Sequence, residues 1–229
     1  REWYLCEWKA NRYMYPPVKK QWGCISFETG GYYCIREKDT FSFIRCGKYK
    51  DRPAHADNLH LDIWYQGENL LFDGGSYKYN TTEKLLRYFM GTESHNTIML
   101  DGHDQMLKGS RFIWYNWSQA EVGSLKETED AYIFEGAVSC FIYLDKKIKH
   151  YRRIVKWKNV CRWEIEDYMD GKPKDMNMRQ LWHTNKDNIR LESNGETVDT
   201  KQLCSDYYGQ ISECRQVEFQ TKNNSITTT

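Results

Sequence analysis

The chain has 229 residues, with 33 Lys and Arg against 32 Asp and Glu and a formal net charge of +1. Charges so evenly matched and mixed exclude nucleic acid as a partner, because phosphate backbones demand a one-signed basic patch. No apolar run approaches the roughly 18 residues of a membrane span.

Residues 1–22 carry mixed charges, aromatics and the Pro16-Pro17 pair, which breaks helix and sheet alike. They read as a connector or the tail of an upstream domain. No signal segment is visible. Arg1 is not an initiator residue, so the chain reads as a piece of something longer, with its compartment, bacterial periplasm or cytoplasm, left open.

Residues 23–229 read as a domain. GYYCIRE and FSFIRC form a hairpin turning at Lys38-Asp39. After the polar loop GKYKDRP, Leu59, Leu61, Ile63 and Tyr65 share one face of a strand, and His60, Asp62 and Trp64 the other. LLF restarts a strand that Asp73-Gly74-Gly75 ends. Thr81 or Thr82 caps a helix over EKLLRYFM, near residues 82–90, with Gly91 as its stop. Asn96–Asp101 is a strand closed by the Asp101-Gly102 turn. RFIWYNW, QAEVG, AYIFEGAV, KKIKHYRRIVKW, CRWEIEDYM, RQLWHT, NIRLES and CRQVEFQ continue as strands at roughly ten-residue spacing, and NNSITTT is an edge strand or a frayed end. Many short strands with one or two short helices predict an all-β fold, an antiparallel β-sandwich. The 17 Tyr and 9 Trp suit such strands. The eight cysteines contain no C-x-x-C and read as free, buried, hydrophobe-like thiols.

Chemistry concentrates between Arg52 and Gln105, where His55, Asp57, His60, Asp73, His95 and His103 lie within about fifty residues. Imidazole and carboxylate together suit zinc and similar divalent ions. His55-x-Asp57 with the distant His95 also fits a two-histidine, one-carboxylate iron site of an oxygenase, although no arginine stands at a spacing suited to an oxo-acid co-substrate.

The segments RPAHADNLHLD, LLFDGGSYKY and GTESHNTIMLDGHDQ resemble the C-terminal β-sandwich of the heparinase II/III-like polysaccharide lyases. GGYYCIR, WEIEDYMDG and the late YYG add to the resemblance, which covers roughly residues 23–229. It implies a partner domain, an upstream α-helical toroid of the same protein that supplies a tyrosine as acid or base. It implies an acidic, uronate-containing polysaccharide as substrate, opened by β-elimination. It also implies a divalent metal, zinc, held by His55, Asp73 and His95, with Asp73 rather than Asp57 as the carboxylate. On this view Arg52, Tyr77, Tyr79 and Arg87 line the substrate side and His103 is the catalytic candidate. One departure stands out. Many members carry His-x-His where this chain has Pro53-Ala54-His55, and proline transfers no proton. The isolated domain is therefore expected to be inactive. The competing reading is a non-catalytic glycan-binding or scaffolding sandwich with a structural metal site.

Overall fold

A computed structural model describes residues 19–229. Most of the 1–22 connector lies outside the described residues. Strands β1 (Gly23–Phe27), β2 (Tyr32–Arg36), β3 (Thr40–Arg45), β4 (Leu61–Tyr65) and β5 (Glu68–Leu71) form a first antiparallel sheet in sequence order. Helix α1 (Glu83–Met90) follows, then a 3-10 turn at Thr92–Ser94 and β6 (Ile98–Leu100). A small ribbon, β7 (Leu107–Lys108) with β8 (Trp114–Tyr115), precedes the long strands.

β9 (Gln119–Glu127), β10 (Ala131–Ser139), β11 (Lys149–Trp157), β12 (Trp163–Asp170) and β16 (Ser225–Thr228) make a second sheet in the order β16-β12-β11-β10-β9. β13 (Met178–Thr184), β14 (Glu196–Cys204) and β15 (Ser212–Thr221) join β6 in a third, ordered β14-β15-β13-β6. The fold is an all-β sandwich with one short α-helix among the described residues.

One hydrophobic cluster joins the sheets. Ile35, Ile44 and Leu61 come from the first, Phe134, Ile154 and Ile165 from the second, and Trp182, Val217 and Phe219 from the third. Strand periodicity explains it. In β12, Trp163, Ile165, Asp167 and Met169 are buried while the residues between them are not. Asp167 thus sits at a core position, and its cross-strand neighbour in β11 is Arg152.

The helix follows local rules. The Thr82 side chain accepts the Leu85 amide, and Gly91 closes the helix. Three expectations differ from the structure. Leu59 is not in the strand: its backbone turns at φ 62, and β4 starts at Leu61. NIRLES has no strand beyond a single bridge from Ser193 to Thr228, because pairing moves on to Glu196–Cys204. RFIWYNW contracts to the two residues of β8. The closing segment is an edge strand, β16. The described cysteines are free thiols, and no described helix is long and apolar enough to cross a membrane.

Candidate metal centre

Asp73 leaves β5 and enters a glycine turn that fixes its carboxylate. Its Oδ1 accepts the Gly75 amide at 2.7 Å. Gly75 adopts φ 86 and lies so close to the Ser205 carbonyl that a Cβ there would collide with it. The turn is pinned from the far side by the Ser205 amide, which donates to Gly74 O at 2.9 Å. His95 follows the 3-10 turn, and its Nδ1 donates to Asp73 Oδ2 at 2.6 Å. The His55 ring lies 5.2 Å from that of His95, centroid to centroid, and the His60 ring 5.7 Å.

Asn96 is the clamp that brings these segments together. Its Nδ2 donates to Leu61 O at 3.0 Å and to Phe72 O at 3.1 Å, tying β4 to the residue before Asp73. Its Oδ1 accepts the His183 amide at 2.8 Å, which brings in β13. The guanidinium of Arg152 adds a second clamp, donating to the carbonyls of Leu59 and Asn96.

Electrostatics follow from burial and proximity. Burial would raise the Asp73 carboxyl, but His95, with His60 and His55 beyond it, holds it far below the usual carboxylate range. Burial would lower His95, but Asp73 outweighs it and holds the imidazole above its ordinary value. Burial, reinforced by His95, lowers His55 and keeps that ring neutral, the form that binds metals. The Asp73 side chain is 34% exposed while His95 is fully buried, so the site opens on the carboxylate.

His60, Asp73 and His95 present ligand atoms within 4.8 Å of one another. Hydrogen bonding nevertheless disqualifies His60 as a ligand. Its Nδ1 accepts the backbone N–H of Asn96 at 2.9 Å, so the proton of the neutral ring sits on Nε2, which donates to Asp62 Oδ1 at 3.0 Å. Neither nitrogen has a lone pair to give. His55 stands outside that close group, its ring 5.2 Å from that of His95, but among the described residues its Nε2 is bonded only to the Ser76 hydroxyl, at 3.4 Å, and it is the freer imidazole. Two imidazoles and a carboxylate with an open side fit a divalent ion.

Asp57, the carboxylate of the iron reading, is engaged elsewhere. The Tyr49 hydroxyl donates to its Oδ1 at 2.8 Å, and Arg45 lies 3.9 Å from its Oδ2. His103 stands on the turn after β6, its ring 6.1 Å from that of Tyr143, and it is not among the residues grouped with Asp73. Arg52 and Tyr79 meet at Phe112, the cation 5.5 Å and the ring 5.7 Å from its centroid. Tyr77 turns its ring toward Phe89, at 5.7 Å. Arg87 pairs with Glu83 on the exposed helix surface. Sequence reasoning missed the clamps Asn96 and Arg152 and the role of His183. The only sequence signal for them was the His95-Asn96 pair itself.

A family model described as Heparinase II/III-like, C-terminal, matches residues 19–227. Among solved structures, the chain is similar to the heparinase III BT4657 gene product, with TM-score 0.75 and 18% identity over 97% of this chain and 38% of that one. It is also similar to the heparan sulfate lyase HepC from Pedobacter heparinus, with TM-score 0.72 and 14% identity over 97% of this chain and 38% of that one. At these identities the likeness is one of fold. The chain spans 38% of the length of these structures. No curated protein matches it.

Proposed function

The chain belongs to the heparinase II/III-like C-terminal family, and from that premise we propose that it is the glycan-facing sandwich of a lyase acting on acidic, uronate-containing polysaccharides. The observation that carries this reading is the bond of the buried His95 to Asp73, a carboxylate left partly open to solvent, with the His55 ring 5.2 Å from that of His95. These residues would hold a divalent ion, zinc by the chemistry of the donor set. When bound, such an ion supplies positive charge against a substrate carboxylate.

β-Elimination needs a base to take the proton α to the uronate carboxyl group and an acid to protonate the leaving oxygen. The chain's own residues orient rather than transfer. His55 and His95 are held as donors by the loops that Asn96 and Arg152 clamp, and Pro53 offers no proton-transfer group. The acid–base tyrosine is assigned to an upstream helical toroid, the partner domain of this reading. Losing one positioned acid–base group costs about 10²–10⁴ in rate.

The test follows binding and product together. The chain is titrated with heparan sulfate, alginate and bacterial capsular glycans while unsaturated uronate is monitored by absorbance. Binding without turnover is expected. Robust turnover abolished by His103→Ala or His55→Ala would place the chemistry in the sandwich itself, and failure to bind any acidic glycan would overturn the glycan reading.

A further inference from the structure

Beyond the histidine cluster, two exposed tyrosines from distant parts of the chain meet with their rings tilted at 58°. Tyr79, from the segment after Asp73, is 67% exposed, and Tyr208, from the loop between β14 and β15, is 68% exposed. Their rings lie 5.9 Å apart, and the Tyr79 ring also meets Phe112 edge-on at 5.7 Å. Burying large aromatics is strongly favourable, so a cluster left this open marks a contact surface.

The arrangement is built. The Tyr79 amide donates to the Tyr208 hydroxyl at 3.3 Å, and the Gly209 amide donates to Tyr77 O at 2.9 Å. Arg52 lies over Phe112, one guanidinium nitrogen fixed on Phe112 O at 2.8 Å. The patch therefore joins flat apolar faces to a planar cation suited to a carboxylate or sulfate. It is continuous with the histidine cluster, because Ser76 of the same segment lies 3.4 Å from His55 Nε2. Tyr79 is six residues past Asp73, at most about 20 Å away along the chain.

We propose that Tyr79, Phe112 and Tyr208, with Arg52 beside them, form a stacking platform for one sugar ring of an acidic glycan whose chain continues to the Asp73 cluster. This rests on the acidic-glycan reading above. The aromatic faces take the apolar face of a pyranose ring, and Arg52 takes the acidic substituent of that ring or its neighbour. The platform sets affinity and register rather than chemistry.

Affinity electrophoresis of the full chain through gels holding heparan sulfate, alginate or neutral xylan tests it. Tyr208→Ala and Tyr79→Ala should each weaken binding to an acidic glycan by about tenfold, the loss expected of a stacking anchor. Tyr208→Phe, which keeps the ring but loses the bond from the Tyr79 amide, should lose clearly less affinity than Tyr208→Ala. Arg52→Gln should flatten the salt dependence of binding. Circular dichroism confirms that each variant is folded. If the parent binds acidic glycans and the Ala variants bind equally well, the platform is overturned while the acidic-glycan reading stands. If xylan retards the parent as strongly and with the same Tyr208 dependence, the role of Arg52 is overturned. If no glycan retards the parent, both readings fall.

Discussion

Two carboxylates, each flanked by histidine, divide this molecule. Asp167, with Arg152, His150 and Gln180, is closed: its oxygens receive Arg152 Nε and Nη2, His150 Nε2 and Gln180 Nε2, all at 2.7 Å, and both ionic partners are fully buried. Asp73 is open: one oxygen takes the Gly75 amide, the other takes His95, and a third of its side chain faces solvent. The same residue types thus serve two ends. A carboxylate whose every lone pair is filled from within the core holds sheets together. One left partly unfilled at the surface, beside histidines, is where the proposed ligand would sit. The two are physically linked, since Arg152 bonds Asp167 with one part of its guanidinium and the carbonyls of Leu59 and Asn96 with another.

The largest effect that would break this contrast is Arg152→Ala. It leaves Asp167 as an unpaired buried charge, which costs about 3–5 kcal/mol, and it frees both histidine loops. Asp73→Asn should cost far less, about 1 kcal/mol, the scale of one hydrogen bond. Urea unfolding midpoints measure the difference, and equal losses would remove the distinction between closed and open clusters.

Acid sharpens the contrast next. Burial, with His95 nearby, lowers His183 from 6.5 to about 4. The unfolded chain therefore binds a proton that the folded chain refuses between those values. Stability from this group is complete above pH 6.5 and is lost as pH falls toward about 4, a change of up to about 3 kcal/mol. Urea midpoints at pH 7, 5.5 and 4.5 should fall steeply for the parent and less for His183→Gln. The same slope in both proteins would assign the acid sensitivity to other groups.

The smallest effect belongs to the surface. Arg87 pairs with Glu83 one helical turn away, both well exposed. Arg87→Ala should shift stability by only about 0.3–0.5 kcal/mol, readable as a barely moved melting temperature. A large shift would mean that Arg87 has a buried partner.

The fold was legible because its signals are local. Thr82 and Gly91 bracket α1 within ten residues, and alternation marked β3, β4 and β12. β14 escaped notice because it is an edge strand with few buried positions, so its polar sequence carries no period. Leu59 fits an alternating pattern, yet a kink at φ 62, with its amide bonded to Arg45 O, sends it to the core by another route. In the candidate site, Asp73, His55 and His95 were legible as residue types in familiar motifs. The unsuitability of His60 was not, because its tautomer depends on one backbone amide, that of Asn96, thirty-six residues on. The pairing of Tyr79 with Tyr208 across 129 residues left no sequence trace at all.

The central claim is that the open cluster binds a divalent ion through His55, Asp73 and His95, and that His60 only supports it. Zinc content after loading and dialysis, measured by elemental analysis on variants shown to be folded, tests it most directly. The account predicts about one zinc ion per chain in the parent and in His60→Gln, and none in His55→Ala, Asp73→Asn or His95→Ala. Zinc retained by His55→Ala but lost from His60→Gln, or no zinc held by the parent, would contradict it.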